Sequence, residues 1–183
     1  SRGDGIKDTE LISGIVIDKS RISQDMPPFV RGSKIALVDF SLELRNPEIE
    51  TKISISSPEQ LHGFIAQEEA EIREMVEKVK LSGANVIFCQ KGIDDFAQYL
   101  LAKEAIYACR RVARSDMEKI SKATGGRIVS NLGELSAFEL GNADVVEEVK
   151  HGNDVLTYIR GCQNPKALTI LIHGGTDHVI DEI

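Results

Sequence analysis

From Asn85 onward, short β-branched runs alternate with helical patterns, and this order restricts the fold more than any other feature. NVIFC (85–89), AIYAC (105–109) and GRIVS (126–130) read as strands, because each is brief, rich in Ile and Val, and bounded by turn-forming residues. Between them lie helical patterns over 93–104 and 115–124, with a further short helix expected around 134–140. Parallel neighbours need a crossover, so the alternation implies a mixed α/β sheet that is at least partly parallel. GIVID (14–18), KIALVDF (34–40), VLTYIR (155–160) and LTILI (168–172) add further strands. Ser115 with Glu118 has capping-box spacing and Gly125 reads as a helix stop. A chain of 183 residues is long enough for one domain with a real core.

One element is long for such a domain. Ser57-Pro58-Glu59-Gln60 combines an N-cap, a proline at the first helical position and a capping-box glutamine. Leu61, Phe64, Ile65, Ile72, Met75, Val76 and Val79 then recur at helical spacing until Gly83. A helix over 58–82 would run roughly 37 Å at ~1.5 Å per residue. Its apolar stripe is interrupted by Glu68-Glu69, which divides it into two contact regions. The preceding segment carries Ile49, Ile53 and Ile55 among charges. Two readings fit: a surface helix with a loop folded over it, or a protruding arm whose exposed apolar tip waits for a partner.

The search for bond-making chemistry ends empty. Asp94 and Asp95 open the helix at 93–104, where carboxylates favourably meet the helix dipole. Adjacent helical residues diverge by about 100°, so they are poorly placed as an acid/base pair. His173 and His178 are five apart with Gly174-Gly175 between them, which does not suit a helical zinc pair. Phosphate-cradling GxxxxGK[ST] and GxGxxG loops are missing, as is a GxSxG nucleophile turn. A net charge of −7 argues against nucleic acid as a partner. The longest apolar runs fall well short of a membrane span. Cys89, Cys109 and Cys162 are isolated, so reduced buried thiols and a cytoplasmic location are expected.

The helix over 93–104 offers a surface instead. Ile93, Phe96, Ala97, Leu100 and Leu101 form an inward arc, which leaves Asp95, Gln98, Tyr99, Ala102 and Lys103 toward solvent. One aromatic, one amide, one methyl and two opposite charges can grip varied peptides weakly. An ordinary solvated helix face has the same composition. An α/β small-molecule or enzymatic domain, with a ligand site near Gly92 to Asp95, is the alternative class.

GIVIDK (14–19), MPPFVRGSKIALVDFSLE (26–43), LSGANVIFCQKGIDDFAQYLLAKEAIYACRRVARSDMEKISKATGGRIV (81–129) and GCQNPKALTILIHGGTDHVIDE (161–182) resemble the apical domain of group II chaperonins, the archaeal thermosome type. The family commonly reads AQHYLAK where this chain has AQYLLAK, and Arg where it has His173. The resemblance implies a swivelling β/β/α fold over 14–183, preceded by a flexible segment at 1–13 and carrying a helical protrusion at about 45–72. Ile49, Ile53, Ile55, Leu61, Phe64 and Ile65 would be its lid residues. Non-native polypeptide would be held by Asp95, Gln98, Tyr99, Ala102 and Lys103, together with Met26, Pro28 and Phe29 of a proline-stiffened loop. ATP and Mg would bind in other parts of a full-length subunit, so this chain is expected to hydrolyse no ATP and to hold no cofactor or metal. Expected partners are unfolded polypeptides and neighbouring subunits of a double ring, with the isolated domain monomeric.

Overall fold

The computed structural model describes residues 14–44 and 57–163. The expected strand at 168–172, His173 to Glu182, the segment 1–13, and Ile49, Ile53 and Ile55 lie outside the described residues. Among the described residues seven strands form one sheet: β1 (Ile15–Ile17), β2 (Phe29–Val38), β3 (Val86–Cys89), β4 (Tyr107–Cys109), β5 (Ile128–Val129), β6 (Gly141–His151) and β7 (Asp154–Cys162). Three α-helices of the described residues interrupt them: α1 (Pro58–Leu81), α2 (Asp95–Lys103) and α3 (Arg114–Thr124).

β2 joins two kinds of sheet. Its C-terminal half runs parallel to β3 and β5, and β3 runs parallel to β4. Its N-terminal half is antiparallel to β6, which pairs with β7, which pairs with β1. β3 is buried at all four positions because both faces of the parallel part are covered, so VIFC is a continuous apolar run rather than an alternation. Ala36, Val38, Ile87 and Cys89 face one core, with Ile72, Val76 and Val79 of α1 and Ala97 and Leu101 of α2. Ile35, Leu37, Phe88 and Tyr107 face the other, with Met117 and Ile120 of α3.

The antiparallel strands fold over that second core. Val30 pairs with Val146, Val146 with Ile159, and all three are buried there. The next inward set is Ser33, Ala143 and Cys162, three residues along rather than two. The alternation therefore slips by one at the row Gly32–Asp144–Gly161, where Gly32 and Gly161 take φ of 62° and 65°. That turn is what lets one sheet present two layers. Tyr107 of β4 reaches Thr157 of β7 at 2.7 Å, and the Thr157 hydroxyl donates to the Lys19 carbonyl at 2.6 Å. The mixed, partly parallel α/β sheet expected from the strand–helix alternation is observed, in the β/β/α layering that the resemblance implies.

The boundaries of α1 follow its sequence signals. Ser57 accepts a hydrogen bond from the Gln60 amide at 3.2 Å, and the chain leaves the helix at Ser82 with Gly83 at φ 95°. Three expectations need correction. β6 was not expected at all. The helix expected around 134–140 is two 3₁₀ turns, Leu132–Glu134 and Ala137–Glu139, the second closed by a Ser136–Glu139 capping box. α3 starts at Arg114 behind Ala113, without a side-chain cap, because its phase is set by Met117 and Ile120 entering the core rather than by Ser115.

All three thiols are free and buried. Burial pushes Cys89 and Cys162 up from 9.0 to about 11, and Cys109 to about 12. Native protein at neutral pH should therefore resist a thiol reagent that labels the denatured chain fully. Unfolded thiols ionise first as pH rises, so this contribution is intact below pH 9 and is lost between about 9 and 12. Tm measured against pH should fall across that window.

Candidate functional site

α2 is held at both ends. Asp94 is its N-cap and accepts from the Phe96 amide at 2.8 Å. The Asp94 amide donates to the Leu42 carbonyl at 2.9 Å, and the Leu42 amide donates to Gly92 at 3.0 Å, so the turn is tied to the segment leaving β2. A Cβ on Gly92 would stand 2.5 Å from Glu43 Oε2 and 3.0 Å from Arg111 Nη2. Protein side chains fill the space behind this turn. Asp94 is committed to the cap and Asp95 is exposed, so the two carboxylates do not converge.

Ile93, Ala97, Leu100 and Leu101 are buried as the helical phase predicts. Phe96 is only half-buried. The Arg73 guanidinium of α1 stands 5.0 Å from its ring centroid, and Tyr99 stacks on it at 6.2 Å with 16° between the planes. Tyr99 is 58% exposed, Asp95 and Lys103 are exposed, and Ala102 is half-buried. Gln98 is half-buried too, with its amide nitrogen donating to the Ile93 carbonyl at 2.8 Å. The ridge left for a partner is therefore narrower than the five residues named from the sequence, and Tyr99 dominates it.

The loop between β1 and β2 lies along the open edge of β4, where the Ile22 amide donates to Ala108 at 2.9 Å. Met26 is a correction to the sequence reading. It is 1% exposed and sits in the same core as Ala97, Leu100 and Leu101, because the turn from Ser23 to Met26 points it inward. Arg21 fixes this turn by pairing with Glu148 at 2.9 Å and donating to the Ser23 and Met26 carbonyls. Met26 anchors the loop, and what remains displayed is Pro28 and Phe29, the latter 44% exposed.

α1 divides as its interrupted stripe suggested. Ile72, Val76 and Val79 are buried against the body, whereas no residue from Pro58 to Glu71 is buried. Leu61 and Ile65 are each 41% exposed and Phe64 is half-buried. Sequence reasoning missed a second outward feature. The antiparallel layer shows Val16, Tyr158, Phe29, Arg31 and Arg160 on its open face, and these come from three strands whose register the sequence does not reveal. Among the described residues no cluster of three or more His, Cys, Asp or Glu is placed to hold a metal, and no helix is long and apolar enough to cross a membrane.

Comparison with known proteins adds an independent line. The profile of the TCP-1/cpn60 chaperonin family matches residues 1–183. Thermosome subunit alpha of Thermoplasma acidophilum is 55% identical over 181 residues, covering 99% of this chain and 33% of that protein. The thermosome subunit of Methanopyrus kandleri is 53% identical over 180 residues, covering 98% and 33%. An open-state monomer of a group II chaperonin from Methanococcoides burtonii superposes with a TM-score of 0.68 at 36% identity, covering 87% of this chain and 38% of that one. The chain spans about a third of the length of the curated relatives it matches.

Proposed function

The chain belongs to the TCP-1/cpn60 chaperonin family, and from that premise we propose that it is the apical part of a group II chaperonin subunit, which captures non-native polypeptide and contributes a lid. The displayed Tyr99 carries this reading. It stands 58% exposed on a helix whose inner face is fully packed, beside a long helix with no buried residue before Ile72. Loss of an exposed segment of client from water against such side chains stabilises each contact by about 25 cal/mol per Å² of apolar area, before ordering costs. Single-domain affinity is accordingly weak, and a ring of subunits would strengthen it by avidity.

In the whole subunit, ATP with Mg would act in the two thirds of the protein that this chain does not span, and would drive rotation of the domain. The arm, about 45–72, would then close over a cavity shared with neighbouring subunits of a double ring in the cytoplasm. No bond is made or broken on client by any residue of this chain; capture is burial and release is movement.

Replacing Tyr99 with alanine tests the reading. The ring has little protein around it beyond Phe96, so thermal stability should hold within about 0.5 kcal/mol. Binding of a labelled, permanently denatured protein, followed by fluorescence anisotropy, should weaken about threefold. Unchanged binding would remove α2 from the client surface.

A further inference from the structure

The open face of the antiparallel layer is not used by the mechanism above. Its register is explicit. Val16 lies opposite Tyr158, Tyr158 opposite Glu147, and Glu147 opposite Phe29, which sets one row across four strands. In the neighbouring row Arg31 lies opposite Val145, and Val145 opposite Arg160. Successive residues of a strand point to opposite faces. The partners of this face, Ile17, Val30, Val146 and Ile159, are buried inside, so these side chains point out. Val16 is 43% exposed and Phe29 44%.

The charges on this face are unevenly compensated. Arg160 lies over the Tyr158 ring at 4.5 Å and pairs with Glu147 at 2.6 Å. Arg31 lies over the Phe29 ring at 5.6 Å and has no carboxylate partner among the described residues. Lys34 likewise has none, its Nζ meeting Asn142 Oδ1 at 3.1 Å. Both cations line one groove of about 500 Å³ beside Asn142, Val145 and Asp144, whose carboxylate accepts from the Gln163 amide, so the groove carries two cations against one carboxylate. An occupant that suits the face brings apolar side chains for the row and carboxylates for the groove. The face is also continuous with the client surface proposed above, since Phe29 follows Pro28 directly in the displayed loop.

We infer that the Val16–Tyr158–Phe29 face is a second client contact, which takes extended non-native segments whose apolar side chains lie along that row and whose carboxylates meet Arg31 and Lys34. The inference rests on the client-binding reading and gives it a selectivity that α2 does not have: acidic-flanked apolar segments over basic-flanked ones. α2 displays Asp95 and Lys103 together and has no comparable bias.

Two labelled peptides with the same apolar core, one flanked by aspartates and one by lysines, test it on the 183-residue chain. Anisotropy should show the acidic peptide binding about threefold tighter, as exposed charge pairs allow, with the preference shrinking at high salt. The double variant Arg31→Gln, Lys34→Gln should abolish the preference. Tyr158→Ser should weaken both peptides, and Tyr99→Ala should weaken both while keeping their ratio. Equal binding of the two peptides, or a ratio that survives the double variant, overturns the inference and leaves the α2 reading in place. Loss of the Tyr99 effect with the ratio intact overturns the α2 site and keeps the sheet face. Failure of both peptides to bind overturns both. Sedimentation must accompany these measurements: self-association that Tyr158→Ser dissolves would assign the face to copies of this chain, against the inference.

Discussion

Gly161→Val is expected to cost the protein 3 kcal/mol or more, roughly, with the loss concentrated where the antiparallel layer folds over. Two separate effects add at this position. Its φ of 65° is a region that β-branched residues almost never enter. A Cβ there would also stand within van der Waals overlap of Asp144, whose carboxylate accepts from Gln163. The three glycines of the layer with positive φ separate the two effects. Gly152, at the β6–β7 turn, and Gly32 share a similar φ but have nothing within 4 Å of a built Cβ. Alanine at either should cost about 1–2 kcal/mol for the backbone alone. Alanine at Gly161 should cost visibly more, and the excess should shrink when Asp144 is also changed to alanine, as a double-mutant cycle would measure. Chemical denaturation of the set checks this. Equal losses at Gly32, Gly152 and Gly161 would mean that contact with Asp144 does not hold the bend.

That row also explains why β6 could not be read from the sequence. GNADVVEEVKH buries Ala143 and Val146, three apart, so the two-residue alternation that identifies a strand is broken at Asp144. One of its two glutamates is turned toward the interior side of the layer, where Arg21 meets it at 2.9 Å. A charge stands where the pattern calls for an apolar residue, and its partner is 127 positions away. By contrast α1 was legible to within a residue, because Ser57, Pro58 and Gly83 are local signals that need no tertiary partner. The parallel strands were legible for a related reason: burial on both faces makes them uniformly apolar.

The displayed residues were harder to predict than the core. Met26 reads as exposed beside two prolines, yet a single turn held by Arg21 buries it. Phe96 has the phase of a core residue, but its ring is shared between Arg73 and Tyr99 at the junction of α1 and α2. Its replacement should therefore loosen that junction more than it unfolds the domain. Helical phase gives the direction of a side chain, whereas exposure depends on how far the neighbouring element extends over it.

The same distinction governs α1, and Leu61 with Ile65 decides it. They are one helical turn apart, each 41% exposed, with no buried residue before Ile72. Replacing both with serine should leave stability within about 0.5 kcal/mol, apart from a small propensity loss near the helix start. Val76→Ala, deeper along the same helix and 4% exposed, should cost about 1–3 kcal/mol by opening a cavity. If the first half of α1 is the capturing arm, the serine pair should weaken binding of denatured protein about tenfold, whereas Val76→Ala should weaken it only where it unfolds the domain. The two readouts must part company for the arm reading to stand. A serine pair that lowers Tm as much as Val76→Ala, with client binding falling only in step with it, would place those side chains in the body of the domain and end the case for a lid.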